Sequence, residues 1–401
     1  MKPHLWTTLW SQAYSLKRPI LWITLAACMV RVPFLWLKSG DYIDYLHPWF
    51  EQIKQNGGLN AIGMPVGNYM VSYIYLLALL TYLPLPDLFS IKLVSILGDV
   101  VLAWFCMKLA GKATPGSGRT EQVYGMILFL PTVVLNSSAW GQCDSLYTAA
   151  LLAFLYFLSE NDSNRAAVSL SIAFCLKLQT VFLAPVVLIA VCQRMIRIRS
   201  LIFFPLIYGL TIFPAYCAGR PLAELMTLYV HQAYTYSSLS MNAPNLYAWF
   251  PWQYENKVLE MLGICLAGIF TAGLAFLAIR YKIHLTGSSL LKLAFLSALV
   301  ILFLLPHMHE RYFYLADILS LLLVLTKTTK HRIILWVPFC SFCLTVRFLF
   351  GPAWISPAVL SIFMSAVCLI SLQSFYQQIQ QARTGQLSNS VLKRGDFVEM
   401  R

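Results

Sequence analysis

Charge is what this chain has least of. Only 11% of its 401 residues are Asp, Glu, Lys or Arg, whereas a soluble domain carries about 25%. So few charges cannot dress a water-facing surface, which excludes a soluble globular enzyme, a disordered chain and a coiled coil. Acidic groups are scarcer still, 16 against 29 basic, for a net charge of +13. In a soluble protein that excess would suggest nucleic acid. In a membrane protein it sorts basic residues into cytoplasmic loops, and no nucleic-acid partner is expected. Internal repeats, low-complexity runs and a soluble domain are also missing. The ten cysteines lie almost all in apolar stretches, where Cys packs as a small hydrophobe. Cys340 and Cys343 have CxxC spacing but lack the second pair that a zinc site needs. No small-residue cleavage site follows Lys17-Arg18 and the first apolar run, so that run is expected to be a retained span.

What the chain does have is hydrophobic residues, 59% of the whole, with aromatics making up 14% of the chain, and a mean hydropathy of +0.68. A span needs about 20 apolar residues. Candidate segments are 19–37, 69–86, 88–110, 122–139, 142–158, 166–193, 200–217, 257–280, 288–306, 311–326, 333–350 and 354–373. The expected fold is therefore all-α, a polytopic integral membrane protein with about 11–13 transmembrane helices. Residues 1–374 form one transmembrane unit with large loops at about 38–68 and 218–256, and 375–401 form a cytoplasmic tail.

Basic clusters at Lys2/Lys17/Arg18, Arg194/Arg197/Arg199, Arg280/Lys282, Lys327/Lys330/Arg332 and Arg383/Lys393/Arg394/Arg401 are placed inside. That puts the two large loops and the stretch from His307 to Arg311 outside. A strict count would also put Lys108, Lys112 and Arg119 outside, against the rule. Either 69–86 or 166–193 is then not a simple crossing, and the second could be two half-helices meeting at Lys177-Leu178-Gln179.

Ionisable residues at membrane depth cost roughly 2.5–3.5 kcal/mol each on insertion scales. This chain has several, Arg31, Lys92, Asp99, Asp144, Lys177 and Arg347. Lys92 and Asp99 are two helical turns apart, so both can find partners on neighbouring helices. In the first loop, Asp41 and Asp44 sit at i and i+3 among Tyr42, Tyr45 and Trp49, as a carboxylate base held at the membrane surface would. His307-Met308-His309-Glu310-Arg311 lies between two spans. Its HxHE run could ligate a metal, but phosphate recognition is the preferred reading, with Arg311 forking onto phosphate oxygens. Gln142 and Asp144 mark a break between spans. The loop 231–256, with Tyr234, Tyr236, Asn242, Asn245, Tyr247, Trp249, Trp252 and Tyr254, suits sugar stacking or headgroup contact equally.

Gly40-Asp41-Tyr42, Trp140-Gly141-Gln142-Cys143-Asp144-Ser145, Lys177-Leu178-Gln179 with Pro185, Asn242-Ala243-Pro244-Asn245-Leu246 and His307-Met308-His309-Glu310-Arg311, in that order, resemble the GT-C superfamily of polytopic glycosyltransferases. The nearest likeness is to bacterial relatives of the second mannosyltransferase of GPI-anchor assembly. A more distant one is to the dolichyl-phosphate-glucose glucosyltransferases, whose His-Phe-x-Tyr-Asn stretch is replaced here by the Trp-Gly-Gln-Cys-Asp-Ser run.

The resemblance implies an inverting transfer of a hexose, mannose favoured, from a polyprenyl-phosphate donor to a lipid or glycan acceptor on the extracytoplasmic face. It favours a bacterial inner membrane over the endoplasmic reticulum. It assigns the base to Asp41, with Asp44 in reserve. Arg311, His307, His309 and Lys177 are the expected donor-phosphate ligands, and Glu310, Gln142, Asp144, Gln179, Asn242 and Asn245 the expected substrate contacts. No metal or other cofactor is expected, because the outside loops lack a dense carboxylate cluster. The competing expectations are a polytopic transporter, which should show repeats, and a glycan polymerase or ligase with an undecaprenyl-diphosphate donor, whose outside loop usually carries arginines where 218–256 has only Arg220.

Overall fold

A computed structural model describes residues 19–398 apart from 117, 119, 234, 251–255 and 352–354, with side chains through Thr384. Lys2, Lys17, Arg18, Arg119, Tyr234, Trp252, Tyr254, Lys393, Arg394 and Arg401, singled out above, lie outside what is described.

The described residues are mostly helical, with two short strands and connecting loops. In chain order the helices are α1 (Pro19–Phe34), α2 (His47–Gln55), α3 (Val71–Leu80), α4 (Asp87–Ala113), α5 (Thr120–Leu128), α6 (Pro131–Val134), α7 (Asp144–Ser159), α8 (Ser163–Leu176), α9 (Ala184–Cys192), α10 (Phe203–Cys217), α11 (Leu222–Ala233), α12 (Lys257–Arg280), α13 (Gly287–Leu304), α14 (Tyr314–Leu325), α15 (Trp336–Phe350) and α16 (Pro357–Val398). Strands β1 (Ser240–Met241) and β2 (Met308–His309) pair in parallel.

Among the described residues six helices are long and apolar enough to cross a bilayer, or seven if α5 and the segment Pro131–Trp140, bent by 51° at Phe129-Leu130, count as one. This is fewer full-length spans than about twelve apolar runs suggested, and two of the shortfalls have identifiable causes. The run 69–86 yields only α3, ten residues long. At 1.5 Å per residue it reaches about 15 Å, half of a bilayer core of about 30 Å. Both its ends stay at one end of the bundle. Tyr82, just past it, donates to Gly57 O (3.1 Å) and accepts from Leu59 N (3.1 Å), while Tyr69, just before it, reaches Gln142. The run 166–193 is two short helical segments. Lys177 adopts an extended backbone (φ −153°, ψ 142°) that ends α8, and the chain then doubles back, since Arg197 N donates to Ser163 Oγ (2.8 Å) at the start of α8.

With α3 confined to one end, α4 carries Lys108 and Lys112 to the other. Lys112 pairs there with Glu160 at the end of α7. Ser163 and Arg197 follow at the same end, and Gln193 donates to Ile283 O (2.7 Å) beside Arg280 and Lys282. The basic loops thus gather at one end, and the loops 35–69 and 218–256 gather at the other.

Helix starts are set by familiar chemistry. Asp162 accepts from Arg165 N (3.0 Å) to cap α8, Asn256 accepts from Leu259 N (3.1 Å) to cap α12, and Thr286 with Ser289 makes a capping box for α13, each satisfying donors that the first turn leaves open. Helices α13 and α14 are buried along most of their length and form the centre. Helices α10, α12 and α16 line the outside with exposed Leu206, Leu210, Phe213, Ile264, Ile269, Phe276, Ile362 and Leu369, a surface suited to lipid. Helix α16 continues through the polar tail as one helix.

Two buried cations tie the bundle together. Arg31 reaches Asp99 on α4 (Nη2–Oδ2 2.8 Å) and also donates to Ala27 O and Leu128 O, while Ser137 donates to the same carboxylate at 2.6 Å. Lys92 donates to the carbonyls of Phe34 (2.8 Å), Leu35 (3.1 Å) and Leu37 (2.6 Å). Phe34 O, at the end of α1, also accepts from Leu37 N (3.1 Å), and the other two carbonyls lie just past that end, so Lys92 supplies a donor where the helix runs out and fixes where the next segment starts.

Candidate active site

The segment that Lys92 anchors leads directly to Ser39, whose Oγ donates to Trp140 O (2.8 Å) and accepts from Tyr42 N (3.1 Å). Asp41 is thereby set against the turn Leu135–Trp140. That turn is π-helical, as is Tyr42–Leu46 just after Asp41. Such turns often occur at functional sites. Gly141 closes the first of them with φ +78°, a left-handed conformation that suits glycine, and the chain then presents Gln142.

Three donors converge on one oxygen of Asp41. Oδ2 accepts from Arg311 Nη1 (2.5 Å), Gln142 Nε2 (2.6 Å) and Trp140 Nε1 (2.9 Å). Among the described residues nothing bonds to Oδ1. Arg311 comes from 270 positions away, on the short turn between β2 and α14. Its guanidinium lies 5.5 Å from the Trp140 ring centre and 5.9 Å from that of Tyr312, so stacking as well as charge holds it. Its Nε is buried and unpartnered. Tyr69 donates to Gln142 Oε1 (3.2 Å), which fixes which end of the amide faces Asp41. Burial pushes the Tyr69 hydroxyl up, so it remains a donor.

This constellation opens on a cavity of about 430 Å³ lined by Asp41, Asp44, Gln142, His309 and Arg311 and walled by Tyr45, Trp49, Tyr69, Tyr236 and Phe348. Asp41 and Arg311 side chains keep 17% and 7% of their exposure, so the pair is partly desolvated yet reachable. A second, mainly apolar groove of about 440 Å³ lies alongside, with Leu178, Phe182, Val230, Ile264, Leu305 and Pro306 in its walls, and Tyr236 lines both spaces.

No protein-family model matches this chain, and no curated protein does.

The sequence-selected residues divide into three groups. Asp41, Asp44, Gln142, His309 and Arg311 share the cavity. Lys177, expected to meet donor phosphate, is committed elsewhere. Its ammonium is buried at 2.5 Å from Asp144 Oδ1, with the rings of Tyr69 and Tyr147 at 5.4 and 5.8 Å. Asp144 also accepts from Asn136 (2.9 Å), so both are part of the framework beneath the cavity and neither is a ligand at its surface. His307 lines the apolar groove, its Nδ1 against Ser238 O (2.8 Å) and its Nε2 3.8 Å from Glu260. Gln179 lines the same groove. Glu310 is fully buried beside His309 Nδ1 (3.4 Å) and positions that ring. Asn245 caps the turn Leu246–Trp249 and donates to Leu305 O (3.2 Å). Asn242 bridges to the His309 backbone and lines a separate polar cavity.

Sequence reasoning missed Trp140 Nε1 as a ligand of the carboxylate, although it had singled out the Trp-Gly-Gln run. It also missed Tyr69 and Phe348, which sit in or beside ordinary apolar stretches and carry no signal of their own, whereas Tyr236, singled out in the 231–256 loop, does line the cavity. No group of three His, Cys, Asp or Glu side chains among the described residues is arranged to hold a metal ion.

Proposed function

We propose that this chain is an inverting glycosyltransferase that moves a hexose, with mannose favoured, from a polyprenyl-phosphate donor to a lipid or glycan acceptor. The observation that carries the reading is the asymmetric Asp41 carboxylate: Oδ2 saturated by three donors, Oδ1 left to accept, at the wall of a cavity. That arrangement suits a general base, which must hold its orientation and still have a lone pair for the incoming proton.

In the proposed step an acceptor hydroxyl donates its proton to Asp41 Oδ1 while its oxygen bonds to the anomeric carbon. The bond from that carbon to the phosphate oxygen breaks on the opposite face, which inverts the centre. The electron pair leaves with the lipid phosphate, and Arg311 and His309 stabilise the charge that develops there. Arg311 bonds Asp41 through Nη1, and among the described residues no hydrogen bond occupies its Nη2, so the guanidinium can serve a phosphate oxygen without abandoning the carboxylate. The apolar groove that meets the cavity at Tyr236 suits the isoprenoid tail. The collection of basic loops at the far end supports an extracytoplasmic site. These features agree with the GT-C resemblance carried by the sequence motifs.

The test is transfer from a synthetic polyprenyl-phosphate mannose to membrane acceptors by the purified full chain. Transfer that depends on Asp41 and yields the inverted anomer supports the reading. Absence of transfer from any polyprenyl-phosphate hexose overturns it.

A further inference from the structure

Of the six ionisable residues singled out above at membrane depth, five are matched within the bundle: Arg31 with Asp99, Lys177 with Asp144, and Lys92 with three carbonyls. Arg347 is the exception. It lies near the end of α15, half-buried, and among the described residues no ion pair or hydrogen bond occupies its guanidinium. A cation there has one bland explanation, the negative end of the helix dipole and a reach toward headgroups. Its surroundings argue for more. Arg347 lines a recess of about 360 Å³ whose wall carries Ser238, Ser240, Asn242, Tyr247 and Ser356. No carboxylate lines it among the described residues.

The recess is distinct from the Asp41 cavity but shares a wall with it. Ser240 of β1 and Asn242 just after it line the recess while Met241 between them lines the Asp41 cavity. Neighbours on α15 divide in the same way, Arg347 to the recess and Phe348 to the cavity. Asn242 holds a left-handed backbone (φ +60°) and bridges to His309, so the wall is tied to the active cavity itself.

We propose that the Arg347 recess binds a phosphate group, and, resting on the glycosyltransferase reading, that this is the phosphate of an anionic acceptor whose sugar or glycerol hydroxyl reaches Asp41 across the β1 wall. Ser240, Asn242 and Tyr247 already donate to Ala243 O, Leu344 O and Leu304 O, so the phosphate ligand of the recess is the guanidinium itself, which among the described residues has no partner and no carboxylate beside it, a cation that recognises phosphate in preference to a neutral glycan. The size falls in the range of small-molecule sites.

The experiment measures binding, so it does not depend on finding the donor. The purified full chain in detergent is titrated with phosphatidylglycerol, phosphatidylcholine and glycerol phosphate, and bound ligand is read by native mass spectrometry. The variants are Arg347→Leu, Arg347→Lys and, as a control for general charge at the opposite end, Arg383→Leu. An apolar residue on a membrane helix should fold, and Arg347→Lys keeps the test informative if Leu does not. Expected is a preference for phosphatidylglycerol over phosphatidylcholine that falls about tenfold or more in Arg347→Leu, partly survives in Arg347→Lys, and is unchanged in Arg383→Leu. Competition by glycerol phosphate would identify the source as a soluble phosphate; its absence would identify a lipid headgroup. Equal binding by wild type and Arg347→Leu, or equal loss in Arg383→Leu, overturns the proposal. Failure of sugar transfer alone would leave the binding result standing and remove only its assignment to an acceptor.

Discussion

Replacing Asp41 with Asn separates two things that the carboxylate does. An amide has nearly the same shape, and its oxygen can take the place of Oδ2 and keep the bonds from Trp140, Gln142 and Arg311. The NH₂ then falls where Oδ1 was, and a group that should accept a proton becomes a donor. If Asp41 is the base, transfer should fall by about 10²–10⁴-fold, the usual worth of general-base catalysis, which is roughly 2.7–5.4 kcal/mol on the barrier. The fold pays less. Loss of one member of a buried ion pair costs about 3–5 kcal/mol, but Asp41 retains 17% of its side-chain exposure and three hydrogen bonds remain available, so the structural cost should lie below that range. The assay is initial-rate transfer of labelled mannose from a short-chain polyprenyl phosphate, with thermal unfolding in the same detergent run beside it. Asp44→Asn is the comparison, because Asp44 lines the cavity but is exposed at its rim and should lose less than tenfold. Transfer by Asp41→Asn within tenfold of wild type, in a protein that unfolds normally, would refute the assignment. So would a larger loss in Asp44→Asn.

Other outcomes follow from the same geometry. Arg311→Lys keeps the charge but loses the fork and the stacking on Trp140. With charged hydrogen bonds worth about 1.5–3 kcal/mol, donor kcat/KM should drop by roughly 10–100-fold, and an unchanged value would remove Arg311 from phosphate binding. Lys177→Met strands the buried Asp144 and should destabilise the fold by about 3–5 kcal/mol. The double variant Lys177→Met/Asp144→Leu should recover most of that in detergent unfolding, and a double variant no better than the single would show that the pair is not the framework element described. Lys92→Met uncaps three carbonyls ahead of Asp41 and should lower kcat more than it raises KM; a pure KM effect would contradict its role in positioning the base.

The parts of this molecule that were legible in its sequence are the parts where chemistry is expensive. A carboxylate directly after a first span and an arginine with two histidines between later spans have no inexpensive structural explanation, and Asp41 and Arg311 indeed lie in one cavity. Pairing was not legible. That Lys177 needs an anion could be read, but that its anion is Asp144, which places it beneath the cavity, could not, because partner choice depends on how α8 doubles back at Lys177. The run 69–86 misled for a different reason. A helix buried against protein has the same composition as one facing lipid, and only the contacts of Tyr69 and Tyr82 reveal that α3 never leaves its end of the bundle.

His307 and His309 make the sharpest case. In a regular strand, residues two apart share a face, so both imidazoles would be expected at the same phosphate. The backbone of His307 is left-handed, φ +58°, a conformation that nothing in a His-Met-His run announces. That single dihedral breaks the alternation and turns His307 toward the apolar groove and Glu260, while His309 stays with Arg311 in the Asp41 cavity. One histidine is thereby placed where a lipid tail would run and the other where a phosphate would sit. The prediction that separates them is direct: His309→Ala should impair turnover at saturating donor, whereas His307→Ala should act mainly on the affinity for donors with long isoprenoid chains. Equal effects on short-chain and long-chain donors by both variants would show that the two rings serve a single site after all.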